Sequence, residues 1–226
     1  MKSLIIILFL LAIGVHAKPV ESYVLYDADN HSVVTGTNIH EIKPVASLTK
    51  IMTAMVAIDS GNYNRELLER LLIRSDNTAA DLLATQYPNG KLNFIRAMNN
   101  KALQLGLQET SFHDPSGLSI FNRSTAREYV EVVIAANTYP LIREISSTPE
   151  KKISSNKKFQ ILHNTNTLLK EYDEIVLSKT GFTSHAGRCL ALSVENQSKK
   201  HIIVILGEPT PQKRSEIARN LIKMTQ

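Results

Sequence analysis

Two short β-prone runs appear early in the chain. Tyr23-Val24-Leu25-Tyr26-Asp27 and Ser32-Val33-Val34-Thr35-Gly36 flank Ala28-Asp29-Asn30-His31, whose residues favour turns, so the pattern predicts a hairpin. From Ser47 the period becomes helical. Leu48, Ile51, Met52, Met55, Val56 and Ile58 form one apolar stripe, with Pro44 before it and Gly61 after it. Leu67, Leu68, Leu71 and Leu72 repeat that spacing within Arg65 to Arg74. Thr78 to Thr85 and Lys91 to Leu105 predict two more helices, split by Pro88-Asn89-Gly90. Ser124 to Asn137 predicts another, with Ser124 as its cap. Late in the chain Ile175-Val176-Leu177 leads as a strand into Lys179. Gly187 to Val194 then pairs with His201 to Leu206 across a polar turn. Pro211 to Met224 is an amphipathic closing helix. The stretch from Pro149 to Lys158 is polar and basic with no apolar period, and reads as a solvated loop.

A hairpin, a run of helices, three strands and a last helix predict an α+β fold. One antiparallel sheet is built from both chain ends and packs against helices, with the helical region between them. Lengths add a constraint. The Ser47 helix runs ~19 Å, and the return helix after the turn at 60–64 covers ~15 Å. An antiparallel return therefore brings Ser75 and Asn77 back to the level of Ser47. There is no internal repeat or long linker, which predicts a single domain over 18–226.

Residues 1–17 have the form of a signal peptide: Lys2, an apolar run from Leu4 to Val15 too short to span a bilayer comfortably, and Val15-His16-Ala17 as a cleavage site before Lys18. The expectation is an exported protein, periplasmic or extracellular, with no integral membrane segment after cleavage. The competing reading is an uncleaved anchor. Cys189 is the only cysteine, which excludes an intramolecular disulfide and a cysteine-based zinc site. The seven histidines show no metal-ligand spacing, so no metal and no other cofactor is expected. The net charge is +5, but the basic residues are scattered, aromatics are only 6%, and no nucleic-acid motif appears. The charge suits an anionic wall or membrane surface and no nucleic-acid partner is expected.

Three strings carry the chemistry: Ser47-Leu48-Thr49-Lys50, Ser75-Asp76-Asn77 and Lys179-Thr180-Gly181. They read S-x-x-K, S-D-N and K-T-G. S-x-x-K alone is weak, expected about once by chance in such a chain, and two further copies start at Ser154 and Ser155. The other two strings are each expected in only ~5% of chains this long. Context selects Ser47, since Ser154 and Ser155 lie in the polar stretch while Ser47 begins a helix with Lys50 one turn on, on the same face. Each string also has a plain structural reading: a helix N-cap, a helix boundary, and a strand running into a turn.

A serine hydroxyl needs a base to become a nucleophile. Lys50 fits that role if burial or a nearby cation lowers its pKa, and Lys179 is the candidate cation. Ser75 is placed to relay a proton between Lys50 and a leaving amine. Asn77 is placed to hydrogen-bond a substrate amide and the lysine. Lys179 and Thr180 suit a substrate carboxylate, and Gly181 lets an acyl group lie against the strand. The backbone N–H groups of Ser47 and Phe182 are the expected oxyanion hole.

The chain resembles the low-molecular-mass penicillin-binding proteins, the D-alanyl-D-alanine carboxypeptidases and endopeptidases. The likeness extends beyond the three strings to Lys43 to Ala54, Ser75 to Ala80 and Ser178 to Leu190. Pro115-Ser116-Gly117-Leu118-Ser119, Asn122, Ser124 to Arg127 and Asn164-Thr165-Asn166 look closest to the periplasmic endopeptidase branch. The resemblance implies a β-lactamase-like DD-peptidase fold and an acyl-enzyme on Ser47. It also implies peptidoglycan stem peptides as substrates and β-lactams as covalent inhibitors. Two departures stand out. The segment between Asp59 and Ser75 is shorter than the family usually has, and the further C-terminal β domain of the carboxypeptidase branch is not seen, which favours endopeptidase action on cross-bridges. The alternatives are a D-Ala-D-Ala carboxypeptidase, a penicillin-sensing or wall-binding module without turnover, and a serine β-lactamase. The last would bring an E-x-x-L-N string, which is missing.

Overall fold

The computed structural model describes residues 21–61, 63–155 and 158–226. The signal-peptide segment 1–17 lies outside them. Strands β1 (Ser22–Asp27) and β2 (Ser32–Thr37) form the first hairpin. Helices α1 (Thr49–Asp59), α2 (Arg65–Leu72), α3 (Asn77–Thr85), α4 (Gly90–Gln104), α5 (Ala126–Asn137) and α6 (Pro140–Ser146) follow. Lys43–Pro44 (β3) and Arg123–Ser124 (β4) make a two-residue pairing that ties the approach to α1 onto the approach to α5. The main sheet is completed by β7 (Ile175–Thr183), β8 (Gly187–Asn196) and β9 (Lys199–Glu208), and α7 (Pro211–Lys223) closes the fold. The strand order is β2-β1-β9-β8-β7, all antiparallel. The expected sheet from both chain ends is therefore present, with the strand carrying Lys179 to Gly181 at its edge.

Each face of the sheet has its own core, set by the two-residue alternation of side chains. Val24, Tyr26, Leu177, Ala191, Ile202 and Val204 pack with the helical region, and Leu25, Leu190, Leu192, Ile203 and Ile205 pack with Ala218, Leu221 and Ile222 of α7. Helix α1 is enclosed: Ile51, Met52 and Met55, with Leu48 just before it, are fully buried. Removing each such side chain from water is worth about 1.5–3 kcal/mol. That burial fixes the helix that begins two residues after Ser47. Local signals set the other starts. Asn64 accepts from Leu67 N at 3.2 Å, and Asp76 accepts from Thr78 N and Ala79 N at 2.8 and 3.3 Å.

Three sequence expectations are corrected. Within the stretch 149–158 expected as a loop, Glu150–Ser155 (β5) is a strand that pairs antiparallel with Lys158–His163 (β6). Its apolar signal is faint: Ile153 and Leu162 turn inward, while Phe159 and Ile161 are exposed. The cap of α5 is Thr125, which accepts from Glu128 N at 3.0 Å, and Ser124 instead meets Thr110 through its buried hydroxyl. Ser47 lies in a 3₁₀ turn, Ala46–Leu48, before α1, and no side-chain cap bond is made at either helix start.

Candidate active site

The Ser47 hydroxyl receives a hydrogen bond from Lys50 Nζ at 3.0 Å. Lys50 also donates to Asn77 Oδ1 at 2.7 Å and to the Ser116 carbonyl at 2.5 Å. Three acceptors satisfy the three donors of an ammonium. When that lysine is neutral, its lone pair needs a donor. Of the three partners, only the Ser47 hydroxyl has a hydrogen to give. Burial lowers the Lys50 pKa to about 8, against the opposing pull of Asp114 and Asp76.

The surrounding loops hold this geometry. Tyr129 Oη donates to the Leu48 carbonyl at 2.5 Å, Thr49 Oγ1 to the Ala46 carbonyl at 2.8 Å, and Asn122 Nδ2 to Thr49 Oγ1 at 3.1 Å. The Ser116 carbonyl is aimed at Lys50 by Asp114. Oδ1 of Asp114 accepts from the N–H groups of Ser116 and Gly117 and from the Ser116 hydroxyl, and Oδ2 from Ser119 N. Burial pushes the Asp114 carboxyl up, but those hydrogen bonds outweigh it and hold the pKa below the usual carboxylate range. Gly117 adopts φ +88°, and a Cβ built on it falls 1.9 Å from the Ala46 carbonyl oxygen. Only glycine lets this loop lie against the nucleophile turn.

Ser75 sits at φ +62°, in the bend before α3. Arg70 grips Asp76 Oδ2 with two donors, at 2.7 and 2.9 Å, which anchors that bend to α2. The lysine that Ser75 meets is Lys179, whose Nζ donates to Ser75 Oγ at 2.9 Å and to the Thr180 carbonyl at 2.8 Å. Lys179 is 1% exposed, and burial, then Lys50 and Arg214, hold its pKa well below the lysine range. Ser75, expected as a relay between Lys50 and a leaving amine, hydrogen-bonds Lys179, so the site holds two lysine–serine pairs, Lys50–Ser47 and Lys179–Ser75. Gly181 has a role beyond making room for ligand. A Cβ there would lie 3.0 Å from the Val45 carbonyl and 3.1 Å from Ser47 N, so its absence lets strand and nucleophile turn meet.

Ser47, Ser75, Thr180, Gly181 and Phe182 share one cavity of about 310 Å³ with Thr165, Arg188, Pro211 and Arg214. Thr165 Oγ1 and Thr180 Oγ1 are 2.6 Å apart. Sequence reasoning brought Ser47, Lys50, Ser75, Asn77, Lys179, Thr180, Gly181 and Phe182 into one site, and the structure groups them. It missed Thr165, Arg188 and Arg214 on the cavity wall and Asp114 and Ser116 behind Lys50. The Ser116-containing segment, Thr165 and Arg188 had a signal, through the family-like strings around them, whereas Asp114 and Arg214 had none.

Buried lysine–serine pairs on a helix start and an edge strand of an α+β fold define a serine acyl-transfer site. The family described as D-alanyl-D-alanine carboxypeptidase matches residues 14–65 and 62–210, and the chain belongs to it. By that membership it is a serine-type D-Ala-D-Ala peptidase. It is 35% identical to the D-alanyl-D-alanine endopeptidase of Pseudomonas aeruginosa over 217 residues, covering 81% of this chain and 70% of that one. The D-alanyl-D-alanine endopeptidase of Escherichia coli is likewise 35% identical over 217 residues, covering 82% and 70%. The crystal structure of penicillin-binding protein D2 from Listeria monocytogenes in its cefotaxime-bound form superposes with a TM-score of 0.81. Its identity is 26%, over 90% of this chain and 96% of that one.

Proposed function

We propose that the protein cleaves D-Ala-linked cross-bridges of peptidoglycan through an acyl-enzyme on Ser47. The observation that carries this is the Lys50–Ser47 contact at 3.0 Å inside a cavity that also holds Ser75, Thr180 and Gly181 from two other segments. Neutral Lys50 takes the Ser47 proton as Oγ attacks the D-Ala carbonyl. The N–H groups of Ser47 and Phe182 receive the oxyanion. Asn77, already bonded to Lys50, orients the lysine and the incoming peptide amide. Ser75, held by Lys179, relays to the departing amine the proton that Lys50 has taken, which returns Lys50 to its neutral form to accept a proton from the attacking water. Thr180, with Lys179 behind it and Arg214 beside it, takes the carboxylate next to the scissile bond. Hydrolysis then frees Ser47.

Endopeptidase action is favoured by the relatives bearing that name at 35% identity. β-Lactams are covalent inhibitors in this reading, in keeping with the cefotaxime-bound relative. The leader-like residues 1–17 favour export, and no helix among the described residues is long and apolar enough to cross a membrane. The test is digestion of cross-linked muropeptide dimers by the mature protein. Dimers should become monomers, and penicillin should block the conversion. If dimers persist while free pentapeptide loses its terminal D-Ala, the enzyme is a carboxypeptidase. If neither changes while penicillin still labels Ser47, the sensor reading replaces this one.

A further inference from the structure

Two guanidinium groups line the cavity beside the nucleophile. Arg188, on β8, stands opposite Phe182 in the strand register, with its guanidinium carbon 3.5 Å from the ring centre. Arg214, on α7, is 8% exposed. The Nε of each is buried without a hydrogen-bond partner among the described residues. Neither arginine makes an ion pair there, and no aspartate or glutamate lines the cavity they share with Ser47, Ser75, Thr165 and Thr180. Glu208 stands opposite Arg188 on β9 but forms no ion pair with it among the described residues, and burial, then Arg188, lowers the pKa of Arg214. Holding the Arg214 guanidinium out of water, with half-buried Arg188 near it, is costly unless a ligand supplies the opposite charge. One carboxylate answers one guanidinium. Stacking on Phe182 fixes the plane of Arg188 and leaves its N–H groups free for a fork-to-fork pair with a carboxylate.

We propose that Arg188 binds a second carboxylate on the leaving side of the substrate, so that the cavity is matched to a leaving segment with two acidic groups, as in a cross-linked stem, over a single terminal D-alanine. This rests on the DD-peptidase reading above, in which Thr180 and Arg214 take the first carboxylate. It makes Arg188 a specificity-determining residue.

The experiment is a coupling cycle between residue and substrate. The substrates are a pentapeptide ending in D-Ala-D-Ala, a synthetic cross-linked dimer whose leaving strand ends in a free carboxylate, and the same dimer with that carboxylate amidated. The enzymes are the wild type, Arg188→Leu and Arg188→Lys. Amidation should lower the wild-type kcat/KM by about tenfold or more, the scale of a charge-assisted pair. In Arg188→Leu amidation should have little further effect, and the dimer-to-pentapeptide ratio of kcat/KM should fall by the same factor. Arg188→Lys should recover part of the ratio. Because each ratio is taken within one enzyme, a loss of folded protein cancels. An equal cost of amidation in wild type and Arg188→Leu overturns the proposal, as does an equal fall for dimer and pentapeptide. If the wild type cleaves no substrate at all, the DD-peptidase reading itself falls.

Discussion

Gly117→Ala is the most demanding perturbation of the site, because it alters neither charge nor any group with chemistry. At φ +88° an alanine is strained by about 1–2 kcal/mol. Its Cβ would also stand 1.9 Å from the Ala46 carbonyl oxygen, 2.3 Å from that carbon and 2.9 Å from Ser47 N. Those are backbone atoms, so relief requires the loop and the nucleophile turn to separate, with an overpacking cost of about 1–3 kcal/mol. The sum, about 2–5 kcal/mol, corresponds to a fall in Tm of about 4–20 °C for a domain of this size. Gly106→Ala is the control. Its φ is +75°, and a Cβ there meets nothing within 4 Å, so it carries the backbone strain alone. Tm from thermal unfolding and the rate of acylation by a fluorescent penicillin are measured on both variants. Gly117→Ala should melt lower than Gly106→Ala. It should also acylate at least tenfold more slowly while folded, since the shift parts the Ser116 carbonyl from Lys50 and moves Ser47 N. Equal Tm losses in the two variants, or acylation at the wild-type rate in Gly117→Ala, would refute the reasoning.

Labelled penicillin followed by peptide mapping should place the adduct on Ser47, and an adduct on Ser154 or Ser155 would remove the site assignment. Acylation should rise with pH and level off above a midpoint near 8, because Lys50 acts in its neutral form, about one tenth of the population at pH 7. A rate that is flat from pH 6 to 9 contradicts Lys50 as the base. Lys50→Arg should abolish acylation, because a guanidinium does not lose its proton in this range. Asp114→Asn removes a charge that raises the Lys50 pKa, so the midpoint should move to lower pH, and a shift upward would contradict the assignment. Thr125→Ala should cost about 1 kcal/mol of stability through loss of the α5 cap, whereas the same change at Ser124 acts only through its contact with Thr110.

The parts of the fold that the sequence foretold are those carried by local periodicity. The stripe from Leu48 to Ile58, the hairpin at 23–36 and the late strands all have a repeat within a few residues. The hairpin at 150–163 escaped because one inward residue per strand, Ile153 or Leu162, makes no period. At the site, Ser47 and Lys50 were linked by helix spacing, and Ser75 and Asn77 by the length of two antiparallel helices. The hydrogen bond of Ser75 to Lys179 was not foreseen, because it depends on which lysine the edge strand presents, a tertiary distance with no local mark. Arg188 and Arg214 went unseen for the same reason. Their meeting requires the β7–β8 register and the docking of α7, and the family-like string around Arg188 does not say which way its side chain faces.

The place of β1 in the sheet bears on how the chain acquires its shape. β1 lies between β2 and β9, with Ser22 in register with Leu206 and Asp27 with His201. A two-stranded hairpin alone is marginal in water, so the first strands to leave the ribosome have no stable home until nearly the last strand is made. Contacts so distant in sequence close slowly. Through that interval the strand bearing Lys179 and the turn bearing Ser47 have no fixed relation, and no acyl acceptor exists. This topology amounts to a delay. The chain gains its bond-cleaving capacity only once its two ends have met.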